Sequence, residues 1–281
     1  MTSPSHPRLL GPLALLGGAV PQVVRAIERS RTFNPARFDP RQPWPMPEAT
    51  RELWPVTDDD VRLHAWLLEG TGPKRRGALL YFHGNGGYLP TYLPALEKLR
   101  GHGFDVMAVD YRGYGKSGGA PQDEAALYRD GDAAVRSLAE SLGCGPQEMV
   151  LYGHSLGTTV AAEMAIRHGC RALVLQAPLA SLQQQMRHSM PWVPPFFGGL
   201  TANRFETAAK IRNLASPLLV MHGEQDRVIP VEQGIAVYEA AREPKRLKLY
   251  PDGEHILGDS TGWSHLAEAA SFVDEMVPRS T

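Results

Sequence analysis

Seven short apolar runs alternate with longer amphipathic stretches along most of this chain, and this alternation restricts the folds that it can adopt. Each run has the length of a strand and few polar residues, which is typical of strands buried on both faces. The stretches between them carry their apolar residues on one side, as sheet-covering helices do. We therefore predict an α/β fold with a mostly parallel central sheet and helices on both faces. The predicted strands are residues 61–68, 78–82, 104–109, 149–152, 172–175, 218–221 and 247–250, and the longest predicted helices are 123–140 and 263–277.

The sequence GHSLG at residues 153–157 is a G-x-S-x-G motif placed between a predicted strand and a predicted helix. A serine in a sharp strand-to-helix turn needs neighbours without bulk, and Gly153 and Gly157 meet this need. Such a turn pushes the hydroxyl out of the sheet, near the positive end of the following helix. We therefore predict that Ser155 is a nucleophile.

A serine hydroxyl reacts only when a base removes its proton and an acid orients that base. Two predicted strands downstream of Ser155 end close to suitable residues, Asp226 and His255. The carboxyl ends of parallel strands share one edge of a sheet, so these side chains are expected to meet there. We predict a Ser155–His255–Asp226 triad, with Glu224 as the reserve acid and Asp252 as a weaker one.

Hydrolysis of an acyl group also requires donors for the negative oxygen of the tetrahedral intermediate. The sequence HGNGG at residues 83–87 follows the predicted strand 78–82, and its glycines allow the backbone to approach the site. We predict an oxyanion hole made by the backbone N–H groups of Asn85 and Leu156. The neighbouring His83 is expected to support this loop through hydrogen bonds.

Neither a cofactor nor a metal is expected. The sequence GYGKSG at residues 113–118 matches the dinucleotide pattern G-x-G-x-x-G, but Gly-Ala-Pro follows it where a helix should begin. The chain has no H-E-x-x-H motif and no paired metal-ligand spacing. Its net charge of −1 gives no indication of nucleic-acid binding.

Four motifs in chain order, HGNGG, DYRGYGKS at 110–117, GHSLG and HGEQD at 222–226, together resemble the α/β-hydrolase superfamily. Within it they look like the BEM46/ABHD13/ABHD17-like branch of serine hydrolases. The resemblance covers about residues 33–277. It implies an α/β-hydrolase fold with a short cap insertion and a serine esterase activity, and it makes an apolar N-terminal anchor an expected feature.

The N-terminal region divides into an apolar arm and a proline-rich lead-in. Residues 9–24, from Leu9 to Val24, include no charged residue but contain prolines and glycines, and they fall short of a typical membrane-spanning length. A membrane-surface contact or short anchor, a signal segment and a packed cytoplasmic arm all remain open. Residues 32–55 are expected to lack regular structure. We predict residues 1–50 as arm and lead-in and 51–281 as the hydrolase domain, with a cap at about 178–206.

The predicted cap is rich in large apolar side chains, and four of them are candidate substrate-pocket residues: Met186, Trp192, Phe196 and Phe197. They suit an acyl chain, or they pack the insertion onto the domain. The predicted function is cleavage of carboxylic acyl esters through an acyl-enzyme. Thioester hydrolysis on acylated protein or lipid and a non-catalytic binding protein are the alternatives, and acyl length and oligomeric state stay open.

Overall fold

An eight-stranded sheet forms the centre of the protein in the computed structural model, which describes residues 28–30, 32–41, 46–192 and 201–276. In chain order the strands are β1 (Thr50–Leu53), β2 (His64–Leu68), β3 (Gly77–Phe82), β4 (Phe104–Asp110), β5 (Val150–His154), β6 (Ala172–Gln176), β7 (Leu218–Gly223) and β8 (Lys245–Tyr250).

The spatial order of the strands is β1-β2-β4-β3-β5-β6-β7-β8. Strand β2 runs antiparallel to both β1 and β4, whereas all the other pairs are parallel. This arrangement confirms the predicted mostly parallel sheet, and β2 to β8 correspond to the seven predicted strands. The prediction that residues 32–55 lack regular structure is wrong at β1, whose Thr50–Leu53 pair with β2 at the edge of the sheet.

Helices cover both faces of the sheet, as predicted. Along the chain they are α1 (Leu89–Gly101), α2 (Glu124–Leu142), α3 (Gly157–His168), α4 (Leu182–Ser189), α5 (Thr207–Lys210), α6 (Val231–Ala240), α7 (Leu257–Thr261) and α8 (Ser264–Met276). One apolar core contains residues of α2, α3 and α6, and the other contains residues of α1 and α8.

Helix α2 begins one residue after its predicted start because Asp123 caps it. The Asp123 carboxylate accepts a hydrogen bond from the backbone N–H of Ala126 at 2.9 Å. A side-chain oxygen at this position satisfies one of the N–H groups that have no partner inside the helix. Gly143, in the left-handed conformation, ends the helix.

Two carboxylates, the buried Glu28 and the half-buried Glu124, hold the last residues of the 178–206 insertion in place. Glu28 accepts hydrogen bonds from the backbone N–H groups of Ala202 and Asn203 and from the Asn203 side chain. Glu124, at the start of α2, accepts from the backbone N–H groups of Arg204 and Phe205. The return of the insertion is thereby tied both to the N-terminal segment and to α2.

The segment from Leu9 to Val24 lies outside the described residues, as do Phe196 and Phe197. Among the helices that the structure describes, none combines the length and the apolar character that crossing a bilayer requires.

Candidate active site

Ser155 lies in a tight turn between β5 and α3. Its φ of +53° is in the left-handed region, which non-glycine residues seldom adopt and which costs about 1–3 kcal/mol. Both flanking residues must be glycine because there is no room for a side chain at either position. A Cβ at Gly153 would lie 2.6 Å from the carbonyl oxygen of Gly157, and a Cβ at Gly157 would lie 2.1 Å from that of Phe82. The glycines therefore allow α3 to start directly against β3.

The structure brings the three predicted triad side chains into one hydrogen-bonded chain. The Nε2 atom of His255 lies 3.0 Å from Oγ of Ser155, and Nδ1 lies 2.8 Å from Oδ2 of Asp226. Because a carboxylate only accepts, His255 donates from Nδ1, which leaves Nε2 to accept the serine proton. Ser155 and Asp226 are buried, and His255 is half-buried.

Backbone hydrogen bonds join the loop that carries Asp226 directly to the loop that carries His255. The N–H of Glu224 donates to the carbonyl of Tyr250, and the N–H of Gln225 donates to that of Gly253, both at 2.9 Å. A Cβ at Gly223 would lie 2.2 Å from the Gly253 oxygen, so only glycine permits this contact. The reserve acids Glu224 and Asp252 are exposed, and the hydrogen bond that His255 donates from Nδ1 is accepted by Asp226.

The Asp226 carboxylate is stabilised in its charged form. Burial alone would raise its pKa, but hydrogen bonds from His222 and His255 and from the N–H of Ile229 outweigh burial and hold the pKa well below its usual value. Oδ1 accepts from the N–H groups of Val228 and Ile229 at 2.8 and 2.9 Å. A negative charge therefore persists beside His255 at neutral pH.

The loop after β3 lies against Ser155. A Cβ at Gly84 would lie 3.3 Å from Cβ of Ser155, so the backbone of this loop passes close to the serine. Nδ1 of His83 lies 2.7 Å from the carbonyl oxygen of Gly84, which assigns the ring proton to Nδ1. In a trans peptide the C=O and N–H groups point in opposite directions, so this bond also fixes the direction of the Asn85 N–H.

The side chain of Asn85 has a separate task. Its Oδ1 accepts hydrogen bonds from the backbone N–H of Asn34 at 2.8 Å and from the Tyr114 hydroxyl at 3.0 Å. Through Asn34 it joins the N-terminal segment to the loop. The side-chain oxygen is thus occupied by structural contacts.

Leu156, the second predicted donor, lies at the start of α3, where backbone N–H groups have no partner inside the helix. The positive end of the helix dipole adds to the attraction for a negative oxygen. The structure therefore places Asn85 and Leu156 in the loop and turn that flank Ser155.

Two histidines that border the site are buried and neutral. Burial, together with the charge of the neighbouring His255, lowers the pKa of His154 to about 3. Burial likewise lowers the pKa of His83 despite the nearby Asp110. His154 packs beside His255 with ring centroids 5.4 Å apart. Neither ring competes with His255 for a proton at neutral pH.

Helix α1 supports the loop that follows β3, a contact that was not predicted from the sequence. The Asp110 carboxylate accepts from the backbone N–H of Leu89 at the start of α1, and the Tyr92 hydroxyl donates to the carbonyl of Gly86 at 2.6 Å. Pro90 is a helix-start signal that was available in the sequence, but Pro94 interrupts the helical pattern. Both contacts hold the loop in place from outside.

The predicted pocket residues are not gathered into one buried site. Met186 of α4 is half-buried and packs against the core, whereas Trp192 is 77% exposed. Since Phe196 and Phe197 lie outside the described residues, the common lining stays a prediction. Among the described residues, no group of three or more His, Cys, Asp or Glu side chains is arranged to hold a metal ion.

A strand order of this type, with a sharp serine-containing turn after β5 and hydrogen-bonded Asp and His loops after β7 and β8, is typical of an α/β hydrolase. The sequence profile of Hydrolase_4, described as "Serine aminopeptidase, S33", matches residues 73–210. The chain belongs to the α/β-hydrolase superfamily.

Its relatives include the human protein alpha/beta hydrolase domain-containing protein 17C, which is 34% identical over 83% of this chain and 68% of that protein. A protein of Escherichia coli (strain K12), described as uncharacterized protein YfhR, is 32% identical over 75% of each chain. Among solved structures, the Pyrococcus furiosus esterase Pf2001 superposes with a TM-score of 0.69 at 20% identity, covering 88% of this chain and 98% of the esterase. This last likeness shows the fold alone.

Proposed function

We propose that the protein is a serine hydrolase that cleaves carboxylic acyl esters through an acyl-enzyme. The observation that carries the proposal is the continuous hydrogen-bonded chain from Ser155 through His255 to Asp226. Further support comes from the strained turn of Ser155 and from the loop after β3, where a Cβ at Gly84 would lie 3.3 Å from Cβ of Ser155.

In the proposed reaction His255 Nε2 takes the Ser155 proton as Oγ attacks the carbonyl carbon of the ester. The N–H groups of Asn85 and Leu156 stabilise the oxyanion, and each such donor contributes about 2.7–4 kcal/mol. The imidazolium then returns its proton to the departing alkoxide, which leaves as an alcohol. Water, deprotonated by His255, attacks the acyl-enzyme, and the carboxylic acid and the free serine are released. Asp226 remains ionised throughout and orients the ring.

The test is a panel of p-nitrophenyl esters of increasing acyl length with wild-type protein and Ser155→Ala. Turnover in the wild type and its loss in the variant are expected. Full activity in Ser155→Ala, or no labelling of Ser155 by a fluorophosphonate probe, would contradict the proposal and favour a binding protein. Acyl-thioesters and aminoacyl-nitroanilides in the same panel separate thioesterase and peptidase chemistry from ester cleavage.

We also propose that residues 178–206 form a cap that lies over the acyl side of this site. The supporting contact is a hydrogen bond of 2.8 Å from the Gln185 side chain of α4 to the carbonyl of Val228, two residues after Asp226. Gln185 also accepts from Gln233 of α6 at 2.7 Å. If α4 helps to select the acyl group, Gln185→Ala changes the ratio of long-chain to short-chain ester turnover. An unchanged ratio would assign α4 to packing.

A further inference from the structure

A second histidine contacts the far side of the Asp226 carboxylate. His222 on β7 is fully buried, and its Nε2 atom lies 2.9 Å from the carbonyl oxygen of Ile229 and 3.2 Å from Oδ2 of Asp226. Both partners are acceptors, so Nε2 carries the ring proton and shares it between them. One N–H therefore bridges the first and last residues of the acid loop, Asp226 and Ile229.

The other ring nitrogen faces α6 at close range. A Cβ at Gly234 would lie 2.3 Å from Nδ1 of His222, so the ring fits only because residue 234 is glycine. Nδ1 has no hydrogen-bond partner among the described residues, and such a buried polar atom costs about 1–3 kcal/mol. An apolar side chain of similar size would fill the space without that cost. Packing therefore does not explain an imidazole at this position, whereas the contacts of its Nε2–H with Ile229 and Asp226 do.

We propose that His222 is a positioning residue for the acid of the site, and this inference rests on the proposed ester hydrolysis. Oδ1 of Asp226 accepts hydrogen bonds from two backbone N–H groups, whereas Oδ2 accepts from the side chains of both His255 and His222. The His222 donor prevents rotation of the carboxylate, so that one lone pair of Oδ2 always faces Nδ1 of His255. His222 does not contact Ser155 and acts only through Asp226.

Two substitutions of His222 distinguish the effect of its hydrogen-bond donor from the effect of its volume. His222→Gln places an amide N–H the same number of bonds from the backbone as Nε2, whereas His222→Leu fills the space without a donor. In ester turnover we expect His222→Leu to lower kcat about 10²-fold with an unchanged KM, as a slightly misplaced catalytic group does. His222→Gln is expected to keep most of the wild-type kcat. Equal loss in the two folded variants would overturn the proposal.

A second readout does not need a substrate. The His255 Nδ1–H bonded to Asp226 is expected to give a low-field proton resonance in wild type and His222→Gln, and to lose it in His222→Leu. An unchanged resonance in His222→Leu refutes the positioning role. If no ester or probe reacts with the wild type but the resonance follows this pattern, the proposed function fails and the His222 contact stands.

Should His222→Leu fail to fold, Gly234→Ala tests the same contact without changing the histidine. The new Cβ would push the ring away from α6, while alanine favours the helix by about 1 kcal/mol and offsets part of the strain. We expect the same loss of kcat and of the resonance in this variant. Wild-type kcat and resonance in folded Gly234→Ala would contradict the proposal.

Discussion

Replacing Gly157 by alanine tests whether the close approach of α3 to β3 sets the position of the nucleophile. The added Cβ would lie 2.1 Å from the Phe82 oxygen and 2.6 Å from the His83 oxygen, and real Cβ contacts essentially never fall below 3.0 Å. The first contact is therefore at least 0.9 Å too short. Both obstacles are backbone atoms, so the helix or the strand must move.

That movement separates Ser155, two residues before Gly157, from the loop that follows β3 and carries Asn85. A displacement of about 1 Å at a reacting group costs about 10²-fold in rate, or about 2.7 kcal/mol of barrier. Overpacking destabilises the fold by about 1–3 kcal/mol as well. We therefore expect kcat for a p-nitrophenyl ester to fall about 10²-fold in protein that is still folded at 25 °C.

The assay pairs ester turnover with urea unfolding, so that the rate loss is measured on folded protein. Gly101→Ala is the matched control, because a Cβ at Gly101, the last residue of α1, meets nothing within 4 Å. This control is expected to keep the wild-type rate, with a stability equal to that of the wild type or up to about 1 kcal/mol higher because alanine favours the helix. Wild-type turnover in folded Gly157→Ala would refute the claim that this contact positions the serine.

Three other predictions concern single side chains. Asp226→Asn should lower kcat about 10⁴-fold, since an amide favours the wrong tautomer of His255; a loss below tenfold by steady-state kinetics argues against the orienting role. Asp123→Ala should lower the free energy of unfolding by about 1 kcal/mol through loss of the α2 cap, and an unchanged urea midpoint would contradict this. Burial opposes ionisation of Glu124, but bonds from Phe205, Tyr128 and Arg204 dominate and lower its pKa. Its contribution is therefore present above the unfolded value of about 4.3 and is lost as pH falls through the lower folded value. Glu124→Gln should destabilise by about 2 kcal/mol at pH 7 and less at pH 3, by urea unfolding at both; an equal loss at the two pH values refutes the charge argument.

The sequence predicted the parts of the fold that depend on local patterns. Strands β3 to β7 are buried apolar runs, and Ser155 and Asp226 follow the ends of β5 and β7. His255 follows β8, whose residues are half-buried or exposed. Strand β1 has two exposed central residues and pairs only at the edge of the sheet, so it has no comparable apolar signal. Helix α1 was missed because Pro94 lies inside it.

Contacts between distant segments were not predictable, since no local pattern specifies them. The hydrogen bond that the Gly84 carbonyl accepts from His83 arises within a motif, and sequence analysis anticipated a supporting role for that ring. By contrast, Asp110 meets Leu89 at the start of α1 only after the sheet is assembled. His222 and Asp226 lie only four residues apart in one motif, but the pattern does not specify the turn after β7 that brings their side chains together. The half-burial of Met186 and the exposure of Trp192 could not be predicted either, because both are large apolar residues in the same insertion.

The carboxylate of Glu28 links two segments far apart in sequence, and we expect these segments to open and close together. Its bonds to Ala202 and Asn203 cannot form unless both segments are in place, and the Asn203 side chain also accepts from the backbone N–H of Glu124. Such mutual dependence defines a single cooperative unit in native-state hydrogen exchange. The amides of Ala202, Asn203 and Glu124 should therefore exchange with one common opening free energy. Glu28→Gln should speed the exchange of all three together.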